Sequence, residues 1–303
     1  MIMTAMMNMY DTIRENLYFN KFEAGELLFV EYKCPIAEDS RGVWTPMDYF
    51  IHVLSGKKTW RTTQGNWTAV KGQTLFIKKG AAIVDQFFKE DFCLMAFFVS
   101  DNFIADCVKE ISGQLSGGAF VEAPPGPVIG VHQDVTLSAY FQSMLAFFMG
   151  TGKPSEPLLR LKLKELIMSI LLGSGNSELA GYFLSLARND KSPLIEVMEA
   201  NFCYNLALED FAKLTHRSLS AFKRDFRKYY NESPGKWLLQ KRLDYSAVLL
   251  RRPGLNVSQI AYDCGFEDLS HFSKAFKDKF GLAPANFRKM AAGTGARNAK
   301  KSR

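Results

Sequence analysis

Nine side chains near the C-terminal end carry cationic or hydrogen-bonding groups at a repeating interval. They are Ser220, Lys223, Arg224 and Arg227, then Ser270, His271, Ser273, Lys274 and Lys277. Steps of three and four place such residues together on one side of a helix. A guanidinium such as Arg224 offers a rigid fork that can pair with two acceptors at once, whereas an ammonium acts as a mobile point charge. This chemistry suits recognition of an anionic surface with ordered acceptors. Arg224 has the geometry for a bidentate contact, and Lys223, Arg227, Lys274 and Lys277 could equally hold phosphates.

The elements that must position these groups occur twice. One copy runs from Leu206 to Ala212, then Ser218 to Phe226, then Ser233-Pro234. The other runs from Leu255 to Ala261, then Asp268 to Phe276, then Ala283-Pro284. The second copy carries one extra turn residue. Each copy has the size of a helix-turn-helix, with a first helix opening at Asn205 or its neighbour in the first copy. Ala212 and Ala261 stand where the two helices cross and a larger side chain would force them apart. The turn after Ala261 contains Gly265, which supplies left-handed backbone freedom. The matching residue in the first copy is His216, which adopts that conformation less easily. Ser218 and Asp268 are predicted N-caps. Phe222, Phe226, Phe272 and Phe276 are predicted to face inward, which leaves the nine residues above outward. Between the copies, Gly235–Leu250 reads as one helix. A rigid spacer of that kind would set two reading helices about one DNA turn apart, ~34 Å.

Composition supports this division. The chain has 303 residues, enough for two domains. Its net charge of +7 is unevenly distributed: residues 1–185 hold 16 Lys and Arg against 19 Asp and Glu, residues 186–303 hold 22 against 12. The basic half is the one with the repeats, which favours a polyanionic partner. The longest apolar run, Phe92 to Val99, is far short of the ~18 residues a membrane span needs. The first twenty residues lack a secretory pattern. Five scattered cysteines show no metal or redox spacing, as expected of reduced thiols in a cytoplasmic protein.

Residues 18–100 read as β. The runs Leu27–Tyr32, Tyr49–Leu54, Gln73–Lys78 and Phe92–Val99 are bounded by turn signals, as in a barrel or sandwich. Beyond Ser100 the period becomes helical over Asp101–Ile111, Val135–Met149 and Leu158–Leu172. These helices could complete the domain core or form a homodimer seam. Residues 123–127 read as a stiff proline-rich loop, 186–192 as a linker and 291–303 as a basic disordered tail. The fold class expected is α+β: a sensor unit over 1–185 and an all-α unit over 193–290.

The all-α half resembles the C-terminal domain of AraC/XylS-type transcription regulators. The strongest stretch runs from Ile260 to Phe266, then His271 to Lys277, Phe280-Gly281, Pro284 and Phe287-Arg288. Asp268 stands where the family usually has Ser, and Lys274 where it usually has Arg. The resemblance implies a seven-helix domain that binds double-stranded promoter DNA, acts with RNA polymerase and usually activates transcription. It also implies base-reading roles for Ser220, Lys223, Arg224, Ser270, His271, Ser273 and Lys274.

The N-terminal half is similar to the family's cupin-like sensor domain through Tyr49–Gly56 and Lys71–Gly80. It also looks like regulators of type III secretion, which are controlled through a partner protein. Metal-binding cupins place histidines in the segments that here read Gly42–Asp48 and Ala81–Val84, and neither contains one. His52 reads as a structural residue, and no catalytic residue, metal or cofactor is expected. Trp44, Phe50 and Trp60 could wall an effector pocket inside the barrel or simply fill its core. Two rival readings remain: a cupin-type enzyme with an appended helical domain, and a DNA binder without sequence preference.

Overall fold

A computed structural model describes residues 6–33, 40–86, 92–113, 126–188, 194–252 and 254–290. The chain divides into two compact units, one over Met7–Pro193 and the other built on Leu194–Arg303.

The first unit begins with β1 (Met7–Asn8), α1 (Met9–Glu15), β2 (Asn20–Ala24), β3 (Leu27–Lys33), β4 (Ser40–Thr45) and β5 (Asp48–Ser55). It continues with β6 (Lys57–Thr62), β7 (Gly65–Val70), β8 (Thr74–Ile77), β9 (Gly80–Gln86) and β10 (Cys93–Val99). Then come α2 (Asp101–Ile111), β11 (Val128–Val131), α3 (Val135–Met149), α4 (Glu156–Leu172) and α5 (Ser177–Ala187). The strands form a five-stranded sheet, β1-β4-β9-β6-β7, and a six-stranded sheet, β11-β8-β5-β10-β3-β2. Tyr49, Ile51 and Val53 of the six-stranded sheet share a core with Val43, Trp60 and Val84 of the other. This is the barrel-like interior the sequence predicts. Phe29, Phe50, Phe76 and Phe97 point from the six-stranded sheet into a second core, closed by Phe141, Leu163, Ile167 and Phe183 of the helices. One sheet is therefore buried on both faces. Its strands read as unbroken apolar runs for that reason.

The four predicted strand runs are all strands, and α2 and α3 have their expected limits. Helix α2 starts where Ser100 accepts from Phe103 N–H at 3.3 Å, and α3 where Asp134 accepts from Leu137 N–H at 2.8 Å. Helix α5 runs through Ala187, so residues 186 and 187 of the expected linker are helical. The rest of the linker lies largely outside the described residues. So do the expected basic tail and residues 123–125 of the proline-rich loop.

The second unit contains α6 (Leu194–Asn201), α7 (Leu208–Leu214), α8 (Leu219–Tyr230), α9 (Pro234–Leu250), α10 (Val257–Asp263) and α11 (Leu269–Phe280). A last helix, α12, covers residues 284–290. Seven helices are what the resemblance implies. Helix α7 begins later than the sequence suggests: its cap is Ala207, whose N–H donates to the Asp210 carboxylate at 3.0 Å. Asn205 lies outside the helix and hydrogen-bonds Glu267 instead. The spacer helix α9 packs against α8 through Trp237, whose ring centroid lies 5.9 Å from that of Phe226. It also shares a core with α10 and α11 through Leu243, Ala247 and Leu250.

Candidate nucleic-acid interface

Two short helix pairs, α7–α8 and α10–α11, share one construction. In the first, the Arg217 N–H closes on the Ala212 carbonyl at 2.9 Å; in the second, the Phe266 N–H closes on the Ala261 carbonyl at 3.1 Å. Such a closure requires a left-handed residue between. His216 supplies it with φ 52° and Gly265 with φ 82°. Ala212 and Ala261 are buried at the crossings.

The predicted caps are in place. Ser218 accepts from Ala221 N–H at 3.2 Å. The Asp268 carboxylate accepts from Ser270 N–H at 2.9 Å and His271 N–H at 3.1 Å. These two bonds hold its carboxyl below the usual range. Phe222, Phe226, Phe272 and Phe276 are fully buried. Ser220, Lys223, Arg224 and Arg227 are exposed on α8, and Ser270, His271, Lys274 and Lys277 on α11. Ser273 is half-buried, because it leans toward the side of α11 that packs on the unit. Lys228, which the sequence does not single out, is also exposed on α8 and extends its cationic face.

Arg224 is anchored at its base. Its Nε and Nη2 reach Asp225 Oδ1 at 3.2 and 3.1 Å, while three-quarters of its side chain stays open to solvent. Asp225 also accepts from Arg217 Nε at 3.2 Å. Desolvation opposes ionisation of Asp225, but the bonds from Arg217 and Arg224 prevail and hold its carboxyl below the usual range. The acid thus orients the guanidinium without covering it.

Sequence reasoning missed Arg242 of α9. Its Nε donates to Phe202 O at 2.7 Å, its Nη2 to Tyr204 O at 2.7 Å and its Nη1 to Gly265 O at 3.0 Å. One buried guanidinium therefore fastens the turn of the second pair to the segment leading into the first. Burial lowers its pKa, so the fold pays for keeping it charged. A lone arginine in a helical apolar pattern reads as surface, which hid this role.

In the sensor unit, an apolar cavity of about 160 Å³ opens within the barrel core. Of Trp44, Phe50 and Trp60, only Trp60 lines it. The alternation along β5 is the reason: Tyr49 and Ile51 face the cavity, so Phe50 faces the helices. Trp44 is buried but absent from the lining; Arg41 and Val43 of β4 face the cavity in its place. His52 stacks on Phe141, centroids 4.4 Å apart, and its Nδ1 lies 2.9 Å from Thr74 Oγ1. Burial pushes its pKa down to about 4. Among the described residues, no group of three or more His, Cys, Asp or Glu could hold a metal ion. Nor is any helix among them long and apolar enough to cross a membrane.

Comparison with known proteins matches both units. Residues 48–182 match the model of the ExsA N-terminal regulatory domain, and residues 211–290 match a helix-turn-helix domain. The virulence regulon transcriptional activator VirF of Yersinia enterocolitica is 24% identical over 263 residues, covering 87% of this chain and 96% of VirF. The HTH-type transcriptional regulator ExsA of Pseudomonas aeruginosa is 23% identical over 236 residues, covering 78% of this chain and 84% of ExsA. A crystal structure of ToxT from Vibrio cholerae covers 87% of this chain and 98% of its own, with 14% identity and a TM-score of 0.37.

Proposed function

We propose that the chain is an AraC-type transcription regulator that activates promoters by reading DNA with both α8 and α11. The observation that carries this reading is the matched pair of capped helices, each fixed by two buried phenylalanines and presenting an exposed cationic face. A helix so presented fits the major groove, where its early side chains reach base edges. We assign base contacts to Ser220, Lys223 and Arg224 on α8, and to Ser270, His271, Ser273 and Lys274 on α11. Arg227 and Lys277, near the C-terminal ends, suit phosphates. RNA polymerase is the partner through which bound protein would act.

Control is assigned to the N-terminal unit, through a small molecule in the barrel or a protein on its surface. The barrel cavity supports the first. The exposed Leu161 and Leu172 of α4 support an apolar contact with a protein, a second copy of this chain included.

The test is selection of bound duplexes from a random pool at physiological salt with full-length protein. Two conserved blocks about one helical turn apart are expected. A uniform pool whose affinity collapses with salt would instead mark a general DNA binder. A single block would restrict base reading to one helix.

A further inference from the structure

We propose that Asp225 is a positioning residue for Arg224: it holds the side edge of that guanidinium, leaves the end edge free for guanine, and so makes α8 the more discriminating of the two reading helices. This rests on, and deepens, the reading that α8 and α11 enter the major groove.

Three side chains are linked in series. Arg217 donates from Nη1 to the Thr215 carbonyl at 2.8 Å, and only 14% of its side chain is exposed. Its Nε donates to Asp225 Oδ2 at 3.2 Å. The other carboxylate oxygen, Oδ1, accepts from Arg224 Nε at 3.2 Å and lies 3.1 Å from Arg224 Nη2. A guanidinium carries five N–H groups in a fixed plane. Nε and Nη2 share its side edge, whereas Nη1 and Nη2 share its end edge. Asp225 occupies the first, so the end edge keeps two parallel donors. Two such donors match O6 and N7 of guanine, while adenine puts an N–H donor beside its N7. Neighbours along a helix are about 100° apart, so Asp225 braces the guanidinium from the side and stays clear of the contact.

An exposed ion pair adds little to stability. Its effect here is on order. A free arginine loses rotamer freedom when it binds a base, and one already held loses less.

The second helix pair lacks the whole series. Phe266 makes the turn closure that Arg217 makes in the first pair, so these two positions correspond. Further along, Lys274 stands for Arg224 and Ala275 for Asp225. A mobile ammonium selects a base less sharply than a held fork. The α8 block of the target is therefore expected to carry a near-invariant guanine, and the α11 block to tolerate more bases.

The test is duplex selection with full-length parent, Arg224→Ala, Asp225→Ala and Asp225→Asn proteins, with melting temperatures measured alongside. The position at which Arg224→Ala loses its preference marks the α8 block. The parent should favour guanine there by about tenfold or more, as a bidentate pair does. Asp225→Ala should cut that preference by about two- to tenfold, the value of ordering one long side chain, with other positions and the melting temperature unchanged. Its affinity for scrambled duplexes should hold or rise, because a carboxylate leaves a cationic face. Asp225→Asn keeps an acceptor for Arg224 and should retain part of the preference. A base other than guanine at the marked position overturns the proposal. So does a guanine preference that survives Asp225→Ala in full, a loss equal on cognate and scrambled duplexes, or an α11 block as sharply defined as the α8 block. If Asp225→Ala fails to fold, Asp225→Asn decides, and a preference equal to the parent's overturns the positioning role. A parent that enriches no motif removes the regulator reading as well, whereas an enriched motif indifferent to Asp225 removes only the role given to that residue.

Discussion

His216 and Gly265 occupy the same turn position in the two helix pairs, and both backbones are left-handed, at φ 52° and φ 82°. The two turns are alike in hydrogen bonding but differ in surroundings. A Cβ at Gly265 would sit 2.7 Å from the Cys203 carbonyl oxygen and 3.0 Å from Arg242 Nε. His216 carries its side chain into solvent.

Gly265→Ala is therefore expected to lose about 1–3 kcal/mol, from left-handed strain plus a backbone clash. His216→Gly should stay within about 1 kcal/mol of the parent, since it relieves strain but gives up the imidazole's contacts. Denaturant midpoints of both variants check this. Equal losses would show that the crowding at Gly265 is unimportant.

Arg242→Leu should be more damaging than any surface arginine change. It takes a donor from the Phe202, Tyr204 and Gly265 carbonyls; Tyr204 O keeps the Leu206 N–H at 2.9 Å, and each carbonyl left unsatisfied costs about 1–3 kcal/mol. Operator binding should fall with it, because the turn of the second pair loses its tie to the segment leading into the first. Arg242→Lys should restore only part, having no fork to span three acceptors. An Arg242→Leu protein that melts like the parent would refute the anchoring role.

On DNA, Arg224→Ala should cost about 1–3 kcal/mol on the selected site and relax preference at one base position. Lys277→Ala should weaken all sequences alike and reduce the salt slope by about one. Binding titrations at several salt concentrations, on cognate and scrambled duplexes, distinguish the two. A uniform loss for Arg224→Ala would move that residue to the phosphates.

Phe272 is fully buried beneath α11. Phe272→Ala should open a cavity costing about 3–5 kcal/mol. Calorimetry of the variant tests whether that aromatic face is the one that holds the helix.

His52 makes stability depend on pH. Its folded pKa of about 4 lies below the ordinary 6.5 because burial disfavours the imidazolium. Between pH 6.5 and 4 the unfolded chain binds a proton that the folded chain refuses, so stability falls as pH drops through that window. Above it this residue contributes no slope. His52→Gln should flatten the fall, as measured by urea midpoints at pH 7 and 4.5. Identical slopes in the two proteins would assign the effect to other groups.

The DNA-reading unit was legible because its signals are local. Caps, crossing alanines and paired phenylalanines lie within a few residues of one another, and each constrains the next. The sensor unit was legible only in its buried strands. Strands β6 and β7 carry polar, half-exposed runs such as Lys57–Thr62, so no apolar stripe marks them. Strand β5 is buried on both faces, and its side-chain alternation therefore carries no polarity. That is why Phe50 could not be assigned to the helices in advance. Helix α5 has Gly181 at its centre and residues that read equally well as a linker approach. Arg242 escaped notice because burial of a charge depends on partners distant in sequence.

Helix α9 is 17 residues long, about 25 Å at the usual rise. It works as a ruler graduated in turns rather than residues. Adding one residue would lengthen it by only 1.5 Å but rotate everything beyond by about 100°, turning one reading face away from the duplex. Substitutions on the exposed faces of α8 and α11 leave this ruler untouched. Changing the distance between the two blocks requires three or four residues at once, so the spacing of the target should be the slowest feature to change.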